Sequence, residues 1–210
     1  MSPYEYFIGA ISIIVGLSVG SLLTRGMRLI GAKAKVIFHW VPFIWAICIL
    51  AWLVQYWYIG WMINEFQGWN FAVFLLMILL MIALYGAAEL ILPSSDPDQI
   101  DMLEHFNHTG RFALAFFAAY FGLAFFSNYF VLAEIDGDRS LETAAFLPVT
   151  GLILISWGAL FKARANQIAS AIVFLIFTVW IYHGLIMDEV DYGSLVGESF
   201  TETSDAEPSN

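Results

Sequence analysis

Charge is what this sequence lacks most. Asp, Glu, Lys and Arg together make up 12% of the 210 residues, and apolar residues make up 60%. A soluble globular domain carries about 25% charged and roughly 45–50% apolar residues. So little charge cannot cover the surface of a water-soluble fold, whereas a surface facing lipid needs no such cover. Cysteine is nearly absent as well: Cys48 stands alone, which excludes an intramolecular disulfide and a four-cysteine metal centre. Cations are scarce, with eight Lys and Arg against 18 Asp and Glu and a net charge of -10. Nucleic-acid binders neutralise phosphates with clustered Lys and Arg, so nucleic acid is excluded as a partner. The opening MSPYEYF has no basic stretch and carries Glu5. A secretory signal peptide begins differently, and a retained first helix is expected.

Catalytic signatures are missing too. The chain has no phosphate-binding loop and no HExxH pair, which removes the chemistries those motifs serve. No span carries a central Lys for a retinal Schiff base, and no helix carries the Arg series of a voltage sensor. A bis-histidine haem needs two His at matching depth, but His39 and His183 should fall towards opposite faces. No cofactor can be named from the sequence.

What is present is a series of long apolar runs. A spanning helix needs about 20 mostly apolar residues, because hydrocarbon is roughly 30 Å thick and each residue rises about 1.5 Å. Six segments meet or approach this: residues 4–24, 36–63, 69–92, 109–133, 144–161 and 166–187. Runs such as FLLMILLMIALYG do not alternate in polarity, which argues against a transmembrane β-barrel. The fold class is therefore an all-α membrane protein, a polytopic bundle of about six transmembrane helices with short loops. Pro148 is expected in the first turns of the fifth span, where a missing N–H costs little. Residues 188–210 form an acidic tail expected to be disordered.

Cation placement sets an orientation. With six spans, Arg25, Arg28, Lys33, Lys35, Arg111, Lys162 and Arg164 share one side and Arg139 alone marks the other. By the positive-inside rule the cationic side is cytoplasmic, and both termini face away from it. An integral protein of the plasma (inner) membrane is expected, with the lipid bilayer as its first partner.

Helix 1 carries Gly9, Ser12, Gly16 and Gly20 at spacings of three and four, which places them on one face. Small residues let helices approach closely in lipid. The stripe reads as a packing contact within the chain, with a second copy or with another membrane protein, and less readily as a pore lining. Ala115, Ala118, Ala119 and Gly122 form a similar ridge on helix 4. Helix 2 is rich in aromatics. Trp40, Trp57, Tyr58 and Trp61 suit the two interfaces, while Trp45, Trp52 and Tyr56 form a deeper stripe that suits bundle packing better than a flat apolar ligand.

Ionisable groups inside a membrane are costly and mark candidate sites. His39, Glu89 and His183 are the ones placed away from span ends. Glu89 could pair with His39 or with an Arg at the cytoplasmic end, as an ion-handling site or as a structural ion pair. Gln55, Asn128 and His183 fall in the outer half and would form a polar cavity if they converged; otherwise they bind helices together. Asp101, Glu104, His105 and His108 have helical spacing and could hold a metal, although a solvated amphipathic face explains them more simply.

Three functional readings follow. The sequence favours a non-catalytic membrane component (an accessory, scaffold or sensor subunit) acting through helix–helix contacts. The second is a small transporter or channel subunit with Glu89, His39, Gln55, Asn128 and His183 along its path. The third is a metal-dependent intramembrane enzyme using His105 and His108.

Overall fold

The computed structural model describes residues 2–31, 36–94, 100–132, 140–161 and 163–204, with side chains, a few positions aside, as far as Gly184. Lys33, Lys35, Arg139 and Lys162 lie outside the described residues. Six helices account for nearly all of what is described. They are α1 (Pro3–Gly31), α2 (Trp40–Met62), α3 (Phe71–Ile91), α4 (102–132), α5 (Leu141–Leu160) and α6 (Arg164–Ser204). Five are long and apolar enough to cross a membrane: Pro3–Gly31, Trp40–Trp61, Phe71–Ile91, Met102–Val131 and Arg164–Gly184; the apolar part of α5, Ala144–Leu160, is shorter.

Local chemistry starts these helices. The first N–H groups of a helix have no intrahelical acceptor. At α1, Ser2 Oγ accepts from Glu5 N–H at 3.2 Å while Glu5 Oε2 accepts from Ser2 N–H at 2.8 Å, a reciprocal capping box with Pro3 in the first helical position. His39 caps α2 by accepting from Val41 N–H at 3.3 Å. Asn70 caps α3 through Val73 N–H at 3.0 Å. Asp101 caps α4 through Leu103 and Glu104 N–H at 2.8 and 3.1 Å.

Those caps move several boundaries. The first helix continues to Gly31, beyond the expected Thr24, because nothing in Arg25–Leu29 breaks it. The fourth begins at Met102 and not Thr109, so the His-containing stretch expected in a loop forms its opening turns. Two π-helical segments interrupt α4, at Phe106–Gly110 and Asn128–Leu132. The fifth helix begins at Leu141, which puts Pro148 inside it and not in its first turns.

Two compact units divide the chain, Met1–Leu175 and Ile176–Asn210. The second is the later part of α6, where the Phe177 and Trp180 rings lie one turn apart and tilted to each other, their centroids 6.4 Å apart. In the first unit α3 packs on α1, α2 and α4, and α4 carries α5. Three connections meet at one end. Val36–Ile37 pairs in parallel with Ile100–Asp101, joining the α1–α2 connection to the α3–α4 connection. Arg111 at the start of the central α-helical part of α4 donates to Leu160 O at the end of α5 at 3.3 Å. Gln167, in the first turn of α6, donates to Asn107 Oδ1 at 2.7 Å.

The core is aromatic. Trp45, Trp52 and Tyr56 from α2 turn inward. Phe174 lies 5.0 Å from Trp45 and 5.3 Å from Phe117 between ring centroids, and Trp52 meets Phe121 edge-on at 4.6 Å. The deep stripe on α2 is thus filled by side chains of α4 and α6. Trp40, Trp57 and Trp61 point outward.

Candidate functional site

Polar side chains gather at both ends of the first unit. At the end where the three connections meet, Arg25 is the centre. Its guanidinium forms an ion pair with the Glu89 carboxylate and also donates to the Glu89 carbonyl. It further donates to Leu92 O, and its Nε to Ser21 Oγ, both at 3.1 Å. The last carbonyls of a helix have no intrahelical donor, and a cation there satisfies them and complements the helix dipole. Arg25 therefore caps α3 as well as neutralising Glu89. Nearby, His105 Nε2 lies 3.2 Å from Leu90 O, a second group on the same helix end.

His39 does something else. Its Nδ1 accepts the α2 capping hydrogen bond, which places the proton of the neutral ring on Nε2. It lies just outside α2, and its pKa is held below the ordinary histidine value, first by burial and then by the nearby Arg164, with Asp101 acting in the opposite direction. The expected Glu89 partner among the arginines is Arg25, and His39 serves as a cap.

The four residues weighed as metal ligands are not gathered on one point. Asp101 uses a carboxylate oxygen on two backbone N–H groups, His105 faces a carbonyl, and Glu104 and His108 are exposed. Among the described residues, no group of three or more His, Cys, Asp or Glu side chains stands close enough to hold a metal ion.

At the opposite end, Asn128 and Gln55 are both on the first unit, while His183 is exposed on the second. Gln55 is buried, and its Oε1 has no hydrogen-bond partner. The role of Asn128 follows from Pro148. A proline within a helix removes the N–H that would bond the carbonyl four residues earlier, here Ala144 O. Asn128 Nδ2 donates to that same carbonyl across the α4–α5 contact, at 3.4 Å. Asn128→Ala should cost about 1–2 kcal/mol, the penalty for a carbonyl left unpaired away from water. In a Pro148→Ala background, which restores the intrahelical donor, most of that cost should vanish. Detergent-unfolding midpoints of the four proteins of the cycle measure it; equal costs in both backgrounds would refute the role.

Close beside Asn128, Tyr56 donates to Met77 O at 2.8 Å, and Ser127 Oγ lies 3.8 Å from Met77 Sδ. These groups border a cavity of about 30 Å³. A wider open groove of about 780 Å³ runs between the start of α3 and the end of α4, past Asn70, Val73, Phe126 and Phe130.

The α1 stripe faces away from all of this. Phe7, Ile11, Ser18, Leu22 and Leu29 are the buried positions of α1, repeating every four and seven residues. Gly9, Gly16 and Gly20 each lie two residues from one of them, about 200° around a 3.6-residue turn. Together with Ser12 they are exposed, and among the described residues a Cβ added at any of the three glycines would meet nothing within 4 Å. The small residues that do permit close packing are Gly60, Gly86, Gly151 and Gly158. A Cβ at Gly60 would come within 2.8 Å of Ile11, one at Gly86 within 2.8 Å of Phe116, and one at Gly158 within 2.9 Å of Trp45; one at Gly151 would fall on the Phe121 ring. Gly60 and Gly86 stand singly on α2 and α3, and Gly151 and Gly158 are one pair seven residues apart on α5, so none of them forms a run at spacings of three and four.

No protein-family model, curated protein or solved structure matches this chain.

Proposed function

We propose that this chain is a non-catalytic component of a membrane: an accessory, scaffold or sensor subunit that crosses the bilayer six times and acts through helix–helix contacts. The sixth crossing is α5, whose 20 residues suffice for a spanning helix of about 17–25 residues. Both termini are placed on the non-cytoplasmic side of the plasma (inner) membrane, because Arg25, Arg28, Arg111 and Arg164 belong to the end opposite Pro3. The observation that carries the functional reading is the uncovered stripe Gly9, Ser12, Gly16 and Gly20. A glycine within a helix costs about 0.8–1 kcal/mol relative to alanine, and on α1 no contact among the described residues recovers that cost. A neighbouring span, from a second copy or another membrane protein, would do so by close approach. Three of the polar residues have local duties instead: Glu89 is held by Arg25, His39 caps α2 and Asn128 serves Ala144. This leaves the transport and metalloenzyme readings with less support.

Gly16→Leu tests it. In a mild detergent the native chain should elute within a larger complex, and the variant should elute as the lone chain with its unfolding midpoint maintained. A native chain that elutes alone, or a variant complex of unchanged size, would overturn the reading.

A further inference from the structure

The cavity beside Tyr56 is small, and three polar side chains border it: Tyr56, Ser127 and Asn128. Its volume is about 30 Å³. By the same measure a water molecule needs about 10–15 Å³ and two to four polar partners. We infer that this cavity binds one or two water molecules, held between the Tyr56, Ser127 and Asn128 side chains inside the bundle.

The lining supplies the partners. Tyr56 donates its proton to Met77 O and keeps its oxygen lone pairs as acceptors. Ser127 is buried, and its hydroxyl donates to the Met77 thioether at 3.8 Å. A thioether is a weak acceptor, and a buried hydroxyl without a good partner costs about 1–3 kcal/mol. Asn128 commits Nδ2 to Ala144 O, which leaves Oδ1 to accept. Apolar cavities stay dry because nothing in them replaces the hydrogen bonds of bulk water; here hydroxyl and amide groups do. Phe7, Ile63 and Leu80 are among the apolar side chains that form the rest of the wall. The second π-helical segment of α4 begins at Asn128, on this wall, and such segments recur at functional sites.

X-ray hydroxyl-radical labelling of the full chain in nanodiscs reads this directly, since a bound water produces radicals where it sits. Met77 and Met81 lie one turn apart on α3 and are both buried, at 3% and 0% exposure, but only Met77 borders the cavity. Met77 should oxidise about tenfold faster than Met81, because oxidation otherwise follows exposure. Equal, slow oxidation of the two would overturn the inference. Ala124 also lines the cavity, and Ala124→Leu should fill it and bring Met77 down to the Met81 rate. Fast oxidation of Met77 in that folded variant would mean that radicals arrive from bulk, and the inference would fall. If Ala124→Leu does not fold, Ser127→Val, which removes a water partner, should slow Met77 oxidation, and an unchanged rate would count against the site in the same way.

Discussion

Arg25→Leu should destabilise the protein by about 3 kcal/mol, the low end of the range for breaking a buried ion pair from one side, measured as a shift in its unfolding curve in mixed micelles. The low end applies because both side chains keep some exposure, 16% for Arg25 and 26% for Glu89. The loss has two parts. Glu89 is left without its counter-ion at the end of α3. The Glu89 and Leu92 carbonyls also lose the donor that caps them. Glu89→Gln separates these parts, because the neutral amide still accepts from the guanidinium and the carbonyls stay capped. It should cost about 1 kcal/mol, the net worth of an ordinary hydrogen bond. If the two variants lose the same amount, capping by Arg25 contributes nothing. The pair also bears on transport: Glu89→Gln in proteoliposomes should leave any ion flux of the chain unchanged.

The second large effect concerns which glycines the bundle needs. Gly151 sits on α5 against the Phe121 ring, and Phe121 in turn packs on Trp52 and Phe117. Gly151→Leu forces that ring out of its place, and overpacking of a well-filled core costs about 1–3 kcal/mol, occasionally more. The upper part of that range is expected, because the displaced atoms belong to a rigid ring bounded by two other rings. Gly16→Leu, with nothing near its Cβ, should leave the isolated chain unchanged or stabilise it by up to about 1 kcal/mol through helix propensity. The thermal midpoint should therefore fall for Gly151→Leu and stay level or rise for Gly16→Leu. Equal losses would place α1 against something within the chain and remove the basis for a partner there.

Those glycines also mark where the sequence stops being legible. Long apolar runs locate the helices because hydrocarbon-length hydrophobicity is a local property. The boundaries are less visible, since Asp101 starts a helix by accepting two N–H groups and its neighbours read as loop. Four small residues at spacings of three and four on α1 form an obvious pattern, yet the seam that packs is Phe7, Ile11, Ser18, Leu22 and Leu29, ordinary residues in any apolar helix. Facing is decided by the neighbour, and the neighbour is set by tertiary structure. Arg25 and Glu89 are 64 residues apart. Nothing local distinguishes Arg25 from Arg28, which stays exposed, or favours it over His39 as the partner. Pro148 shows the same limit. Its position names the carbonyl that loses its intrahelical donor, Ala144 O, but which distant amide reaches that carbonyl is set by the packing of α4 on α5.

That carbonyl has a geometric consequence. Two helices that meet through apolar side chains could slide past each other by a turn with little change in packing energy. Only one peptide oxygen along the described length of α5 is released by a proline, and only one amide side chain of α4 meets it. The match exists at a single axial offset, so the ring that helps to break the helical ladder also acts as an index mark that fixes how far one rod is inserted beside the other.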